Sequence, residues 1–180
     1  MRTPADCIAS YILAKDGNRP HLMDAAFTPD ATLKMVLHTD AISFPAASHG
    51  RTAIAETLVR RFNHTYENIY TLCVGSPPEA GVQAFACDWL VAMSQKQYGA
   101  VRIGCGRYDW SFTPTGDRVR ALTITIETMA LLQPDTLAPV MEWVSDLPYP
   151  WCPRAELSRA APRLAGVEQA LQLLDRPSTT

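Results

Sequence analysis

The chain lacks a strong excess of either charge: 16 Lys and Arg stand against 18 Asp and Glu, a formal net charge of −2, and the basic residues are scattered rather than clustered. Without a basic face there is no electrostatic footprint for nucleic acid or an anionic membrane surface, so neither partner is expected. Long apolar runs are absent as well. None approaches the ~18 residues that a membrane-spanning helix needs, and Met1-Arg-Thr-Pro-Ala-Asp-Cys-Ile8 has no hydrophobic signal core. A cytoplasmic protein is the expectation. The five cysteines (Cys7, Cys73, Cys87, Cys105, Cys152) form no CxxC pair, and their odd number leaves at least one unpaired, which favours reduced, buried thiols. His21, His38, His49 and His64 make no HxH or HxxxH pattern, so no metal site is expected. Internal repeats and low-complexity segments are lacking too.

What is present is enough for one core: 180 residues, 47% hydrophobic and 19% charged, suit a single globular domain with a tail. The most informative stretch is Ala100–Met129, which reads as two long strands joined at Pro114-Thr-Gly-Asp117. On the first strand, alternation puts Gly104, Gly106, Tyr108, Trp110 and Phe112 on one face and Val101, Ile103, Cys105, Arg107, Asp109 and Ser111 on the other. Glycines beside large aromatics predict a sharp bend with room on the concave side. The second strand alternates Ala121, Thr123, Thr125 and Glu127 with Leu122, Ile124 and Ile126, one face tightly packed and one lining something smaller or wetter.

In chain order, residues 6–16 predict a short helix with Ile8, Ile12 and Leu13 on its apolar face and Tyr11 at the edge of that stripe. A second helix is expected from Pro20 through Phe27, stopped by Thr28-Pro29-Asp30, and Ala31–Thr39 alternates as a strand. Gly50-Arg-Thr-Ala-Ile54 opens a longer helix with Thr52 as its N-cap and Ile54, Leu58, Phe62 and Tyr66 recurring every four residues. Strands follow at 69–74 and 83–94, the latter with Phe85, Cys87, Trp89, Val91 and Met93 on one face. From Gln133 the composition changes: Pro134–Leu147 reads as a short helix, Leu147-Pro-Tyr-Pro-Trp-Cys-Pro153 as extended chain, Arg154–Asp175 as helix and Arg176–Thr180 as a frayed end.

This order of elements resembles the cone-shaped α+β fold of the nuclear transport factor 2-like superfamily, which includes ketosteroid isomerases, scytalone dehydratase and SnoaL-like polyketide cyclases. Tyr11 on the first helix, Ala25-Ala-Phe-Thr-Pro-Asp-Ala-Thr32, Gly50-Arg-Thr-Ala-Ile54, Gly106-Arg-Tyr-Asp-Trp110 and Thr115-Gly-Asp-Arg-Val119 carry the resemblance, across roughly residues 5–132. It implies a strongly curved antiparallel sheet wrapped around N-terminal helices over residues 1–132, followed by a partly helical, Pro- and Trp-containing extension over 133–180. It also implies cofactor-independent isomerase, cyclase or dehydratase chemistry on a small apolar carbonyl compound.

By that resemblance Tyr11 matches the tyrosine that donates a hydrogen bond to a developing enolate, and Tyr108 stands where ketosteroid isomerases keep a protonated aspartate as second donor. The position of their catalytic aspartate holds Met35, a thioether that abstracts no proton. His38 or Asp40, swung inward by a bulge, or Glu127, which the resemblance places toward the cavity with Thr123 and Thr125, are the candidate bases. Met35, Trp89, Val91, Trp110, Thr123 and Thr125 are the expected ligand-contacting residues. A non-catalytic ligand-binding or dimeric scaffold protein is the competing reading. Asp88, Arg107 and Asp109 fall on the convex face, where Val101, Ile103 and Cys105 also need covering, by a homodimer partner or by the tail. Trp143, Tyr149 and Trp151 are expected to plug the cone.

Overall fold

Thr3 starts the first helix, α1 (Pro4–Asp16), with a capping box: its hydroxyl accepts from the Asp6 amide while the Asp6 carboxylate accepts from the Thr3 amide. In the computed structural model, which describes residues 1–176, α1 lies against the concave side of a strongly curved sheet with Tyr11 fully buried rather than at the edge of its stripe. A 3₁₀ turn at Pro20–Leu22 and the single helical turn α2 (Met23–Ala26) lead into β1 (Phe27–Leu37). Thr28-Pro29-Asp30 thus belongs to a strand and is not the helix stop expected from its turn-forming residues.

After β2 (Ala47–His49), the long helix runs without interruption through α3 (Arg51–Ala55), a π-helical segment at Glu56–Arg61 and α4 (Phe62–Thr65). Gly50, at φ 86°, is its N-cap, and Thr52 makes no capping bond. The stripe of Ile54, Leu58, Phe62 and Tyr66 is buried as the four-residue spacing predicts. Then come β3 (Tyr66–Val74), β4 (Ala84–Gln95), β5 (Val101–Phe112) and β6 (Val119–Leu132).

Seven strands form one sheet in the order β2-β1-β6-β5-β4-β3-β7, the last being Trp151–Cys152. Its core is the antiparallel run β3 to β6, but β1 joins β6 in parallel and β7 joins β3 in parallel, so the sheet is mixed at both margins. Direct partners share a face, and Tyr108 pairs with Cys87 and Ile124 while Trp110 pairs with Phe85 and Leu122. The concave face therefore collects the aromatics of β5 and the aliphatics of β6.

The tail does something other than plug the cone. Helix α5 (Leu137–Ser145) and helix α7 (Ala165–Leu174) bring Val140, Trp143, Val144, Val167, Ala170 and Leu174 onto the convex face, against Leu72, Leu90, Ala92, Val101, Ile103 and Cys105. Trp143 is 2% exposed and its indole N–H donates to the Leu157 carbonyl at 3.0 Å. Between these helices, α6 (Arg154–Leu157) is a separate turn, so Arg154–Asp175 is two helices and not one; Pro162, with no amide to donate, lies in the break. Of the three aromatic residues expected as the plug, only Trp151 packs at the margin of the concave core, its ring 6.1 Å from that of Phe85. The expected fraying of Arg176–Thr180 falls on 177–180, outside the described residues.

Candidate functional site

Within the cone, the residues of one void define the site. A cavity of about 40 Å³, enough for roughly three water molecules, is lined by Tyr11, Tyr108, Lys15, Thr71 and Trp89 on its polar side and by Met35, Phe62, Val91, Ile124, Ile126 and Met129 among its apolar walls. Ile42 and Phe44, from the loop between β1 and β2, close it toward an outer groove that they share with Pro45, Arg61 and Tyr66. Phe44 stacks on Phe62 with ring centroids 6.3 Å apart.

The glycines of β5 do leave room, but side chains use it. A Cβ on Gly106 would meet Trp89 Cζ2 at 2.8 Å and the Thr125 carbonyl oxygen at 1.8 Å, and a Cβ on Gly104 would meet Met129 Cε at 2.4 Å. Register slips between Cys105 and Gly106, where Glu127 is the extra residue on β6. This bulge bends the hairpin and seats Trp89 over the glycine, beside the ring of Tyr108 at 5.7 Å.

Tyr11 sits at the centre of the aromatic cluster, with ring centroids 5.9 Å from Phe27, 6.0 Å from Tyr108 and 5.5 Å from Trp110. Burial pushes both phenols well above their ordinary range; the neighbouring phenol opposes that rise at Tyr11 and adds to it at Tyr108. Both stay neutral donors across the physiological range. The Trp89 and Trp110 indole N–H groups have no protein partner among the described residues.

Lys15 is the member of this cavity that sequence reasoning missed. Four residues after Tyr11, one helical turn along the same face of α1, its side chain is 8% exposed. Its ammonium donates to Asp16 Oδ1 at 2.8 Å and to Thr71 Oγ1 at 2.6 Å, and lies 4.9 Å from the centre of the Phe62 ring. Asp16 accepts four hydrogen bonds: Lys15 Nζ and Thr71 Oγ1 on Oδ1, the Thr71 amide and the Tyr149 hydroxyl on Oδ2. A carboxylate has about four acceptor positions, so Asp16 has none left for a ligand proton. The end of α1 is fixed from the other side by Asn63, whose amide donates to the Lys15 carbonyl and, beside the π segment, to the Val59 carbonyl, both at 2.8 Å.

The structure separates the candidate side chains into three groups. Tyr11, Tyr108, Met35, Trp89 and Val91 lie on the cavity wall; Trp110 packs behind Tyr11 without lining the void. Thr123 and Thr125 point the other way, as partners of Asp109 and Arg107 on the convex face, while Leu122, Ile124 and Ile126 take the concave side. This corrects the placement implied by the resemblance, and the cause is solvation: aliphatic side chains take the buried face and hydroxyls the half-open one. His38 and Glu127 do meet, Nδ1 to Oε2 at 2.8 Å, but with side chains 53% and 43% exposed and outside the cavity. Asp40 is exposed too. No bulge swings either residue inward; His38 instead donates its amide to the Ile126 carbonyl, extending the β1–β6 ladder outward.

On the convex side Arg107 pairs with Asp109 at 3.2 Å, and Asp88 pairs with Arg154 of the tail at 2.7 Å. Among the described residues no three His, Cys, Asp or Glu side chains are grouped to hold a metal ion. No helix is long and apolar enough to cross a membrane.

Comparison of the fold with solved structures gives many matches. A nuclear transport factor 2-like protein from Salmonella enterica serovar Typhimurium superposes with TM-score 0.53 at 20% identity, covering 69% of this chain and 88% of that one. A protein from Catenulispora acidiphila with a ketosteroid isomerase-like fold, solved in complex with trimethylamine, gives 0.52 at 17% identity, covering 68% and 85%. A nuclear transport factor 2-like protein from Burkholderia thailandensis gives 0.54 at 12% identity, covering 72% and 92%. No family model and no curated protein matches the chain. The chain has the nuclear transport factor 2-like cone fold. At these identities the likeness is one of fold alone.

Proposed function

We propose that this protein binds a small, largely apolar molecule inside the cone and does not enolise it. The observation that carries the reading is the donor set of the cavity. The side chains of Tyr11, Tyr108, Trp89, Thr71 and Lys15 supply its polar members, the Thr71 hydroxyl already donating to Asp16, and among the described residues that line it there is no carboxylate and no imidazole. Enolisation needs a base within hydrogen-bond reach of the carbon acid. Met35 occupies the wall position that the family resemblance gives to the base, His38, Asp40 and Glu127 lie outside, and the acceptor positions of Asp16 are filled. Apolar walls with a few convergent donors suit capture and orientation of a ligand.

The test is binding of cyclic probes such as cyclohexanone, a ring larger than the closed void that enters by displacing Ile42 and Phe44 toward the outer groove, followed by tryptophan fluorescence and thermal shift, against a variant with the void filled. Val91→Phe should abolish saturable binding while the protein keeps its far-ultraviolet spectrum. Equal binding by folded Val91→Phe would remove the cavity as the site.

A further inference from the structure

Resting on that reading, we infer that Lys15 selects the ligand's head group, and that the group it selects is a neutral hydrogen-bond acceptor such as a ketone oxygen, not a carboxylate. Of the three ammonium N–H bonds, two are committed to Asp16 and Thr71, and the third has no oxygen acceptor among the described residues. Lys15 lines the same cavity as Tyr11 and Tyr108, so a ligand oxygen delivered to that end has an ammonium and two neutral phenols as the groups able to donate to it. Charge decides which oxygen. Lys15 and Asp16, with side chains 8% and 6% exposed, already form a neutral pair. A carboxylate beside them would add a buried negative charge without a counter-ion, at a desolvation cost of several kcal/mol. A ketone adds none and receives a charge-assisted bond.

The pair is also held in place for this. Asp16 is clamped by the Thr71 amide and hydroxyl from β3 and by the Tyr149 hydroxyl from the C-terminal extension at 2.9 Å. The extension thus acts as a strap that positions Asp16 and, through it, the Lys15 ammonium.

The experiment compares three probes of one shape, cyclohexanone, methylcyclohexane and cyclohexanecarboxylate, on the full chain and on Lys15→Met, with Kd read from protein-observed NMR. On Lys15→Met the cyclohexanone Kd should rise roughly tenfold or more, and the methylcyclohexane Kd should change less than about twofold, since it has no oxygen to lose a partner. The carboxylate should bind the unaltered chain at least about tenfold more weakly than the ketone. An unchanged ketone Kd on Lys15→Met, or a carboxylate that binds as well as the ketone, overturns the assignment while leaving cavity binding intact. Failure of all three probes to bind the unaltered chain removes the cavity reading and the assignment together. If Lys15→Met does not fold, intermolecular NOEs on the unaltered chain decide: contacts between the α-methylenes of bound cyclohexanone and the Lys15 Cε protons support the inference, and contacts confined to Met35 and Ile124 overturn it.

Discussion

Replacing Gly106 by alanine is the sharpest perturbation of the bent hairpin that forms the cavity wall. The added Cβ would stand 1.8 Å from the Thr125 carbonyl oxygen and 2.9 Å from its carbon, both backbone atoms of the paired strand, and 2.8 Å from Trp89 Cζ2. To reach even a tight contact of about 3.0 Å the strands must part by more than 1 Å, which breaks the ladder bonds on either side of the bulge. Overpacking that a side chain cannot relieve costs ~3 kcal/mol or more, equivalent to a fall in Tm of about 6–12 °C for a chain of this size. Gly104→Ala is the internal control. Its Cβ meets Met129 Cε at 2.4 Å and Sδ at 2.8 Å, the far end of a flexible side chain, and the nearest backbone atom, the Thr128 oxygen, is at 3.0 Å. Met129 can swing aside, so the expected cost is about 1 kcal/mol. Urea melts of the two variants, with the m-value checked, measure the difference. A Gly106→Ala variant within 1 kcal/mol of the unaltered chain, or a Gly104→Ala variant that costs as much, would refute the bulge geometry and with it the seat of Trp89.

Trp143→Ala should cost about 3–5 kcal/mol and increase binding of a hydrophobic dye, because the indole covers the convex face and bonds the Leu157 carbonyl; a neutral substitution would mean that the tail does not hold that face. Tyr149→Phe removes one of four bonds to Asp16 and should lower stability by about 1 kcal/mol, measured by the same melts. Burial pushes the Cys7 and Cys152 thiols up to about 11 and Cys105 up to about 12, against an ordinary value of 9.0. Unfolded thiols ionise first as pH rises, so the stability these groups contribute is complete below pH 9 and is lost progressively above it. Melts between pH 8 and 10.5 should show that decline, and alkylation at pH 8 should follow unfolding; rapid labelling of the folded chain would contradict their burial.

Much of the cone could be read from β4 and β5, because Trp89, Tyr108 and Trp110 alternate with Asp88, Arg107 and Asp109, and a charge and an indole cannot exchange faces cheaply. On β6 the alternation is between threonines and isoleucines, a weaker contrast, and the bulge residue Glu127 shifts the phase at its end; the resemblance then assigned the wrong face. Lys15 escaped notice because a lysine near the end of a helix ordinarily reads as solvated. Its spacing from Tyr11 was the available signal, but the groups that hold it come from elements far along the chain: Thr71 on its ammonium, Asn63 on its carbonyl, and Tyr149 on its ion-pair partner Asp16. The tail's destination was equally non-local: its apolar residues needed a cover or a plug, and which of the two is a matter of sheet curvature. The π segment at Glu56–Arg61 preserved the four-residue stripe and left no trace in the pattern.

Hydrogen exchange at carbon tests the central claim most directly. With cyclohexanone held at saturating concentration in deuterium oxide, NMR follows both the protein resonances of the cavity and the α-methylene protons of the ketone. A cavity with donors and no base predicts saturable shifts at Met35, Val91 and Ile124 together with α-proton exchange no faster than in buffer. Exchange accelerated by the unaltered chain and lost in Val91→Phe would contradict it, and would require a base that reaches the bound ketone.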